Sequence, residues 1–288
     1  MNPSATIIVV SYNKRRYTEL CLQSMLQCDP LPDQIVVVDN GSTDGSIAFL
    51  KDDFPEQCRA RDTSYVLIAN SENKGACTAR NQALRHSNGD MIAFVDNDVA
   101  VRSRDWLAVL SSTLEQNQQV GIVGPKLLFP APPHDIECAG VGISRNGRVQ
   151  YMGRGQPNDT PEFAEPGMMQ CLTSACWLMR RSMYEQIGEL DEVFNPAQYE
   201  DFDYCYRARE AGWQVMYQPE AEMYHFENTT TDGSQSLNFR YITIKNGTVF
   251  KDRWRHMFST EDGPDDEDCK WVSLEIKGIE QVGTPPII

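Results

Sequence analysis

Two carboxylates stand two residues apart directly after an apolar run, in the stretch "AFVDNDVAV" at residues 93–101. Asp96 and Asp98 repel each other unless a cation lies between them. Oxygen ligands without cysteine are typical of Mg²⁺ or Mn²⁺, which proteins usually bind through one or two carboxylates and the phosphates of a substrate. The pattern therefore predicts a divalent metal ion that is bound together with a diphosphate. A strand-ending turn, which Asp and Asn both favour, is the alternative interpretation.

A mostly parallel sheet is expected to position these acids. Runs of β-branched and apolar residues predict strands at 5–11, 34–39, 64–69, 90–96 and 120–124. Helical periodicity fills the intervals, so repeated strand–helix–strand units predict an α/β fold. Ligands of such sheets bind beyond the carboxyl ends of the strands. Asp39 and Asp96 both end strands there, beside Ser11 and Tyr12 at the end of the first strand.

The second half of the chain has a different composition, with many Pro and Gly residues over 125–170. Asn146–Gly147 predicts the turn of a β-hairpin. Further elements are predicted from local patterns: a short helix near 181–188, a helix that begins in "YEDFDY" and ends at Gly212, strands at 214–218 and 221–226, and a basic helical segment over 235–256.

Composition and charge exclude several classes of protein. The 288 residues carry a formal net charge of -15, which argues against a general nucleic-acid binder. The chain contains no apolar run near the ~20 residues of a membrane helix and no basic segment before its first apolar run, so we expect a cytoplasmic protein. Its nine cysteines are scattered, which is typical of small core residues in a reducing compartment.

A family resemblance rests on five stretches in a fixed order: "TIIVVSYNK", "VVVDNGSTDGS", "NKGACTARNQAL", "FVDNDV" and "YEDFDYCYRAREAGWQVMYQPEAEMYH". Over about residues 5–226 the chain resembles family 2 glycosyltransferases of the GT-A fold. The resemblance implies a Rossmann-like, mostly parallel sheet with flanking helices and a smaller acceptor-side subregion. It also implies an inverting, metal-dependent hexosyl- or deoxyhexosyltransferase that uses a nucleotide-sugar, with UDP favoured.

The same resemblance implies roles for individual residues. Asp201 is the expected catalytic base, with Glu200 beside it, and the start of their helix is expected to keep Asp201 ionised. Asp98 and His225 are the expected ligands of Mn²⁺ or Mg²⁺, helped by Asp96. Trp177 and Ser174 are expected at the acceptor or sugar. The remaining positions are expected contacts of the nucleotide: Ser11, Tyr12, Lys14, Asp39, Lys74, Gly75, Arg80, Asp96 and Asn97.

These roles divide residues 1–258 into a nucleotide-sugar-binding half, 1–125, and an acceptor-binding half, 126–258. The acidic tail, 259–288, holds eight acids and two bases and is expected to be peripheral or partly mobile. The expected acceptor is a hydroxyl of a glycan, a lipid-linked molecule or another compound, in bacterial-type surface glycan or glycoconjugate synthesis. The basic segment could also bring the protein into peripheral contact with a membrane.

Three alternatives remain open. A nucleotidyltransferase would also pair acids with a nucleotide diphosphate, but "VSYNKRRYTE" lacks the glycine-rich loop expected after the first strand. A non-catalytic module that binds a nucleotide-sugar would retain the fold without turnover. A glycosyltransferase that acts on modified nucleic acid would need a local basic face, for which 240–255 is the candidate segment.

Overall fold

A single mixed sheet forms the centre of the molecule. The computed structural model describes residues 3–227 and 238–288. Its strands are β1 Ala5–Ser11, β2 Gln34–Asp39, β3 Ser64–Ala69, β4 Met91–Asp96, β5 Val99–Val101, β6 Val120–Leu128, β7 Ile136–Cys138, β8 Val141–Ile143, β9 Val149–Tyr151, β10 Gly167–Met168, β11 Cys176–Arg180 and β12 Gln214–His225. The sheet order is β10-β12-β6-β11-β4-β1-β2-β3, with β5 paired to β12 and β7 to β6.

Helices flank this sheet. They are α1 Arg15–Met25, α2 Ser46–Ala48, α3 Phe54–Ala60, α4 Ala76–Leu84, α5 Trp106–Gln116, α6 Arg181–Ile187, α7 Glu200–Glu210, α8 Phe239–Phe258 and α9 Ile279–Val282. A π-helical turn, Phe49–Asp53, joins α2 to α3. Within residues 3–227 and 238–288, none of the helices combines the length and apolarity needed to cross a bilayer.

The predicted parallel core is confirmed. β1 lies between β2 and β4 and is parallel to both. These three strands are buried almost throughout, as their apolar sequences require when helices cover both faces. Asp39 and Asp96 therefore end strands on either side of β1, and Ser11, in register with Asp39, ends the strand between them.

Within the centre of the sheet, β11 departs from the parallel pattern. β11 inserts between β4 and β6 and runs antiparallel to both. β6, predicted as 120–124, continues to Leu128 and is not the neighbour of β4. The sheet is therefore mostly parallel but mixed, because the apolar segment of β11 returns from the second half of the chain into the core.

The second half follows its predicted elements closely. Strands β8 and β9 form the hairpin, and Gly147 in its turn has a φ of +75°. α7 ends before Gly212, which has a φ of +92°. The two strands predicted over 214–226 form one strand, β12, whose pairing with β6 shifts register between Gln218 and Glu222. Residues 235–237 of the predicted basic helix lie outside the described residues, and α8 covers the rest.

The acidic tail packs against the body of the molecule. Ser144 donates a hydrogen bond to Asp266 over 2.5 Å. At the end of the chain, the backbone N–H of Ile288 donates to the carbonyl of Arg102 over 2.7 Å. The tail thus lies at the periphery of the molecule and is hydrogen-bonded to both the hairpin and the sheet.

Candidate active site

A cavity of about 260 Å³ opens where the carboxyl ends of β1 and β4 face the start of α7. It collects residues from both halves of the chain. The predicted site residues that line it are Tyr12, Arg80, Asp96, Asn97, Asp98, Ser174, Glu200, Asp201 and His225.

His225 lies beside Asp98 because of strand pairing. β5 begins one residue after Asp98 and runs antiparallel to β12, which places His225 opposite Val99. The backbone N–H of Phe226 also donates to the carbonyl of Asp98 over 3.0 Å. As a result, Nε2 of His225 lies 3.5 Å from Oδ1 of Asp98.

Asp96, Asp98 and His225 fit a divalent metal ion. One ligand atom from each of the three side chains lies within 4.8 Å of the others. Ligand atoms bound to one ion at about 2.0–2.2 Å are roughly 3–4.4 Å apart, so small side-chain adjustments suffice. Burial lowers the pKa of His225, but the carboxylates of Asp98 and Glu137 outweigh this effect and hold the pKa well above its usual value.

Arg80 connects the acids of the two halves. Its guanidinium donates to Asp96 over 2.6 Å and to Glu200 over 3.1 Å, and its side chain is buried. It also lies over the ring of Phe94. Arg80 was predicted to face the nucleotide and diphosphate, and it lines the cavity, but its charge is engaged by two carboxylates.

Asp201 presents a buried carboxylate to the cavity. Its two oxygens accept hydrogen bonds from the backbone N–H groups of Phe202, over 2.9 Å, and Ser174, over 3.3 Å. Burial raises the pKa of Asp201 to about 7, and the neighbouring charge of Glu200 adds to the increase. The expectation that the helix start keeps this group ionised is therefore corrected: burial and Glu200 raise the pKa by more than the hydrogen bonds from Phe202 and Ser174 lower it.

Only some of the predicted nucleotide contacts line the cavity. Asp39 is buried; Oδ2 accepts from the backbone N–H of Ser42, and Oδ1 has no hydrogen-bond partner among the described residues. The Ser11 hydroxyl is buried 3.0 Å from that of Thr18 and does not line the cavity. Tyr12 lines it and is half-buried.

The loop that contains Lys74 and Gly75 closes against Asn40. The side chain of Asn40 accepts from the backbone N–H of Lys74 over 3.1 Å and donates to the carbonyl of Gly75 over 3.3 Å. Gly75 has a φ of +87°, and a Cβ at this position would collide with Asn195. Lys74 is exposed, and Lys14 lies at the start of α1 with a left-handed backbone.

Trp177 is a core residue, contrary to the predicted acceptor contact. Its side chain is fully buried and stacks on Phe94 and Tyr204, with ring centroids 5.7 Å and 6.3 Å away. It does not line the cavity. Its neighbour Ser174 does, since the segment before β11 passes over Asp96 and Asp201.

A family model, Glycosyl transferase family 2, matches residues 6–188. The chain belongs to this family. Among relatives of this family 2 glycosyltransferase is the uncharacterised protein y4gI of Sinorhizobium fredii, 27% identical over 230 residues, with 77% of this chain and 24% of that protein covered. Another is the N-acetylglucosaminyl-diphospho-decaprenol L-rhamnosyltransferase of Mycobacterium tuberculosis, 26% identical over 245 residues, with 78% of this chain and 76% of that protein covered. The chain therefore spans about a quarter of y4gI and three quarters of the rhamnosyltransferase.

Solved structures agree on the fold of this family 2 member. GalNAc-T7 with UDP, GalNAc and Mn²⁺ superposes with a TM-score of 0.63 at 14% identity, covering 77% of this chain and 43% of that one. A mannosyltransferase from Pyrobaculum calidifontis, in complex with GDP-Man and Mn²⁺, gives a TM-score of 0.56 at 19% identity, covering 90% and 71%. The predicted GT-A fold is confirmed.

The family 2 site contains acids that the sequence did not single out. Glu137 and Glu227 line the cavity, and Arg154 pairs with both. The available signal was a charged residue inside the apolar strand β7, "IEC", since a glutamate there must find a buried partner. Nothing in the local sequence indicates that the partner is Arg154.

Proposed function

We propose that this chain transfers a sugar from a nucleotide diphosphate sugar to an acceptor hydroxyl, with inversion at the anomeric carbon. The observation that carries the proposal is a single cavity with a metal-ligand cluster, Asp96, Asp98 and His225, and a separate buried carboxylate, Asp201. Membership of the family supports the reaction class.

The cluster is proposed to hold Mn²⁺ or Mg²⁺. When bound, the ion supplies positive charge to the diphosphate leaving group. Arg80 adds a second positive charge near the proposed metal site, where it pairs with Asp96 and Glu200 and partly neutralises them. Asp98 and His225 lie next to each other, 3.5 Å apart, because β5 pairs with β12.

Asp201 is proposed to be the general base. It takes the proton of the acceptor hydroxyl while the acceptor oxygen forms its bond to the anomeric carbon and the bond to the diphosphate oxygen breaks. The electron pair of the broken bond leaves with the nucleotide diphosphate. One displacement of this kind inverts the configuration and needs no covalent enzyme intermediate. A pKa of about 7 suits a base that works near neutral pH.

A uracil base is the proposed occupant of the nucleotide end. Asp39 does not line the cavity, but its buried Oδ1 has no hydrogen-bond partner among the described residues and is an acceptor suited to the N–H of uracil. The ring of Tyr12, which lines the cavity, can stack on the base. Lys14, Lys74, Gly75 and Asn97 stay proposed contacts of the nucleotide or diphosphate.

The proposed acceptor is a hydroxyl of a glycan or a lipid-linked molecule in surface glycan synthesis. The name of the mycobacterial relative, which specifies a diphospho-decaprenol acceptor, supports this class. A cytoplasmic location with peripheral membrane contact stays part of the proposal. A nucleotidyltransferase, a non-catalytic binding module and an enzyme acting on modified nucleic acid are the alternatives to be separated by experiment.

A screen for nucleotide release tests the proposal. UDP-, dTDP- and GDP-sugars are incubated with the protein and Mn²⁺, and the released nucleotide diphosphate is quantified. We expect release from a UDP-sugar, loss of release with a chelator, and loss in Asp98→Ala. Asp105→Ala is the matched control, because Asp105 is exposed, lies seven residues further along and makes no capping hydrogen bond. Full turnover by Asp98→Ala in chelator contradicts the metal assignment.

A further inference from the structure

A chain of contacts connects the acidic tail to His225. Nδ1 of His225 lies 3.4 Å from Oε2 of Glu137. The other oxygen of Glu137, Oε1, accepts from Nη1 of Arg154 over 3.3 Å. The guanidinium of Arg154 in turn lies 4.1 Å from the centroid of the Trp271 ring, and its Nε donates to the carbonyl of Val272 over 3.0 Å.

The guanidinium of Arg154 is held on several sides. Nη2 donates to Glu227 over 2.7 Å, so each of three nitrogens has its own acceptor. The side chains of Arg154 and Glu137 are 3% and 1% exposed, which makes both charges depend on each other. This arrangement fixes which oxygen of Glu137 faces His225.

We infer that Glu137 is a positioning residue for the proposed metal ligand His225, and that Trp271 of the tail stabilises it by covering Arg154. The inference rests on the proposed metal-dependent function. A carboxylate on one nitrogen of an imidazole leaves the other nitrogen free to ligate, fixes the ring orientation and increases the basicity of the ligand. Nδ1 of His225 lies 3.4 Å from Glu137, and Nε2, on the other side of the ring, lies 3.5 Å from Asp98.

The tail thereby becomes part of the site without lining it. Trp271 also makes an edge contact with Tyr151, whose ring lies on the cavity wall, with centroids 5.5 Å apart. The side chain of Trp271 is nonetheless 58% exposed, so it can be replaced without opening the core. Its replacement leaves the buried charges of Arg154 and Glu137 in place.

Equilibrium binding of Mn²⁺ tests the inference independently of turnover. Free Mn²⁺ is measured by electron paramagnetic resonance in the presence of UDP for the natural chain, His225→Ala, Glu137→Gln, Trp271→Ala and Trp271→Phe. We expect Glu137→Gln to weaken Mn²⁺ binding by about 10–100-fold. Trp271→Ala should weaken it less, and Trp271→Phe should restore it, because a phenyl ring retains the contact with the cation.

Trp213→Ala is the matched control. It removes another partly exposed tryptophan, whose indole N–H donates to Gln186 beyond the far end of α7. We expect Mn²⁺ affinity equal to that of the natural chain. If Glu137→Gln fails to fold, as judged by circular dichroism, the tryptophan variants test the inference. It is supported if Trp271→Ala alone weakens Mn²⁺ binding, and contradicted if Trp271→Ala binds as tightly as Trp271→Phe and Trp213→Ala.

The outcomes distinguish the proposed metal site from the inference about Glu137 and Trp271 that rests on it. If His225→Ala binds Mn²⁺ as tightly as the natural chain, the proposed metal site is wrong and the inference falls with it. If His225→Ala weakens binding while Trp271→Ala and a folded Glu137→Gln match the natural chain, the metal site stands and the inference is wrong.

Discussion

Arg80 and Arg154 explain how so many acids share one cavity. Arg80 bridges Asp96 and Glu200, and Arg154 bridges Glu137 and Glu227. All four of these carboxylates line the cavity. Each arginine therefore offsets the repulsion between two acids, and the cavity can be assembled before a metal ion or a donor arrives.

Replacing Arg80 should destabilise the fold strongly. Arg80→Ala leaves two partly or fully buried carboxylates without their cation, which is expected to cost about 3–5 kcal/mol. Arg85→Ala, just after the end of α4, is the matched control. Because Arg85 pairs with Glu189 at the surface, this substitution should cost less than about 1 kcal/mol of stability. Urea unfolding measures both. Similar small losses for the two variants would contradict the structural role of Arg80.

The elevated pKa of Asp201 predicts a pH dependence. The base must be deprotonated to act, so the rate should increase with pH and reach half of its plateau near pH 7, where the buried carboxyl titrates. An ordinary aspartate would place this limb near pH 4. The measurement is kcat/KM for the donor between pH 5 and 8.5 at saturating Mn²⁺. A flat profile over this range would exclude Asp201 as the titrating base.

Individual residues were predictable where a short motif carried them. Asp96, Asp98, Asp201 and His225 belong to contiguous motifs, and the structure brings them to one cavity. Glu137 was not predictable, because its proposed role depends on contacts with Arg154 and His225 from distant segments. The pKa of Asp201 was misjudged for the same reason, since burial is a property of the folded molecule.

At the scale of elements, periodicity predicted β1, β2, β3 and β4 to within one residue. Each of them pairs in parallel with a neighbour whose apolar pattern resembles its own. The insertion of β11 between β4 and β6 was not predictable from local pattern. Antiparallel pairing of a distant segment is decided by the competition of long-range contacts, which periodicity does not encode.

The carboxyl end of β2 carries a prediction on nucleotide binding. If the unpaired oxygen of Asp39 accepts the base N–H, Asp39→Asn should weaken UDP binding by roughly 10–100-fold, the value of a hydrogen bond to a charged group. Asp33→Asn is the control at the opposite end of the same strand, where Asp33 accepts from the N–H of Ala5. Isothermal titration calorimetry with Mn²⁺ compares them. Tight GDP binding with no UDP binding would contradict the proposed nucleotide pocket.

At the scale of the molecule, the two halves and the tail act together. In the proposed function, β1 and β2 build the nucleotide end and α7 carries the base. The proposed metal ligands come from the end of β4, the turn after it and the end of β12. β11 and β12, from the predicted acceptor-binding half, pair with β4 and β6 of the other half in one sheet. The tail is hydrogen-bonded to the rest of the molecule through the side chain of Asp266 and the backbone of Ile288.

In the proposed function, one cavity binds the donor through its metal ligands and activates the nucleophile through Asp201. The most direct test is nucleotide release from a UDP-sugar by Asp201→Asn, measured at donor and Mn²⁺ concentrations that calorimetry shows to be saturating. Asparagine preserves the size of the side chain and removes the proton acceptor, so donor binding should persist while release decreases by about 10²–10⁴-fold. Near-normal release by Asp201→Asn under these conditions would contradict the account.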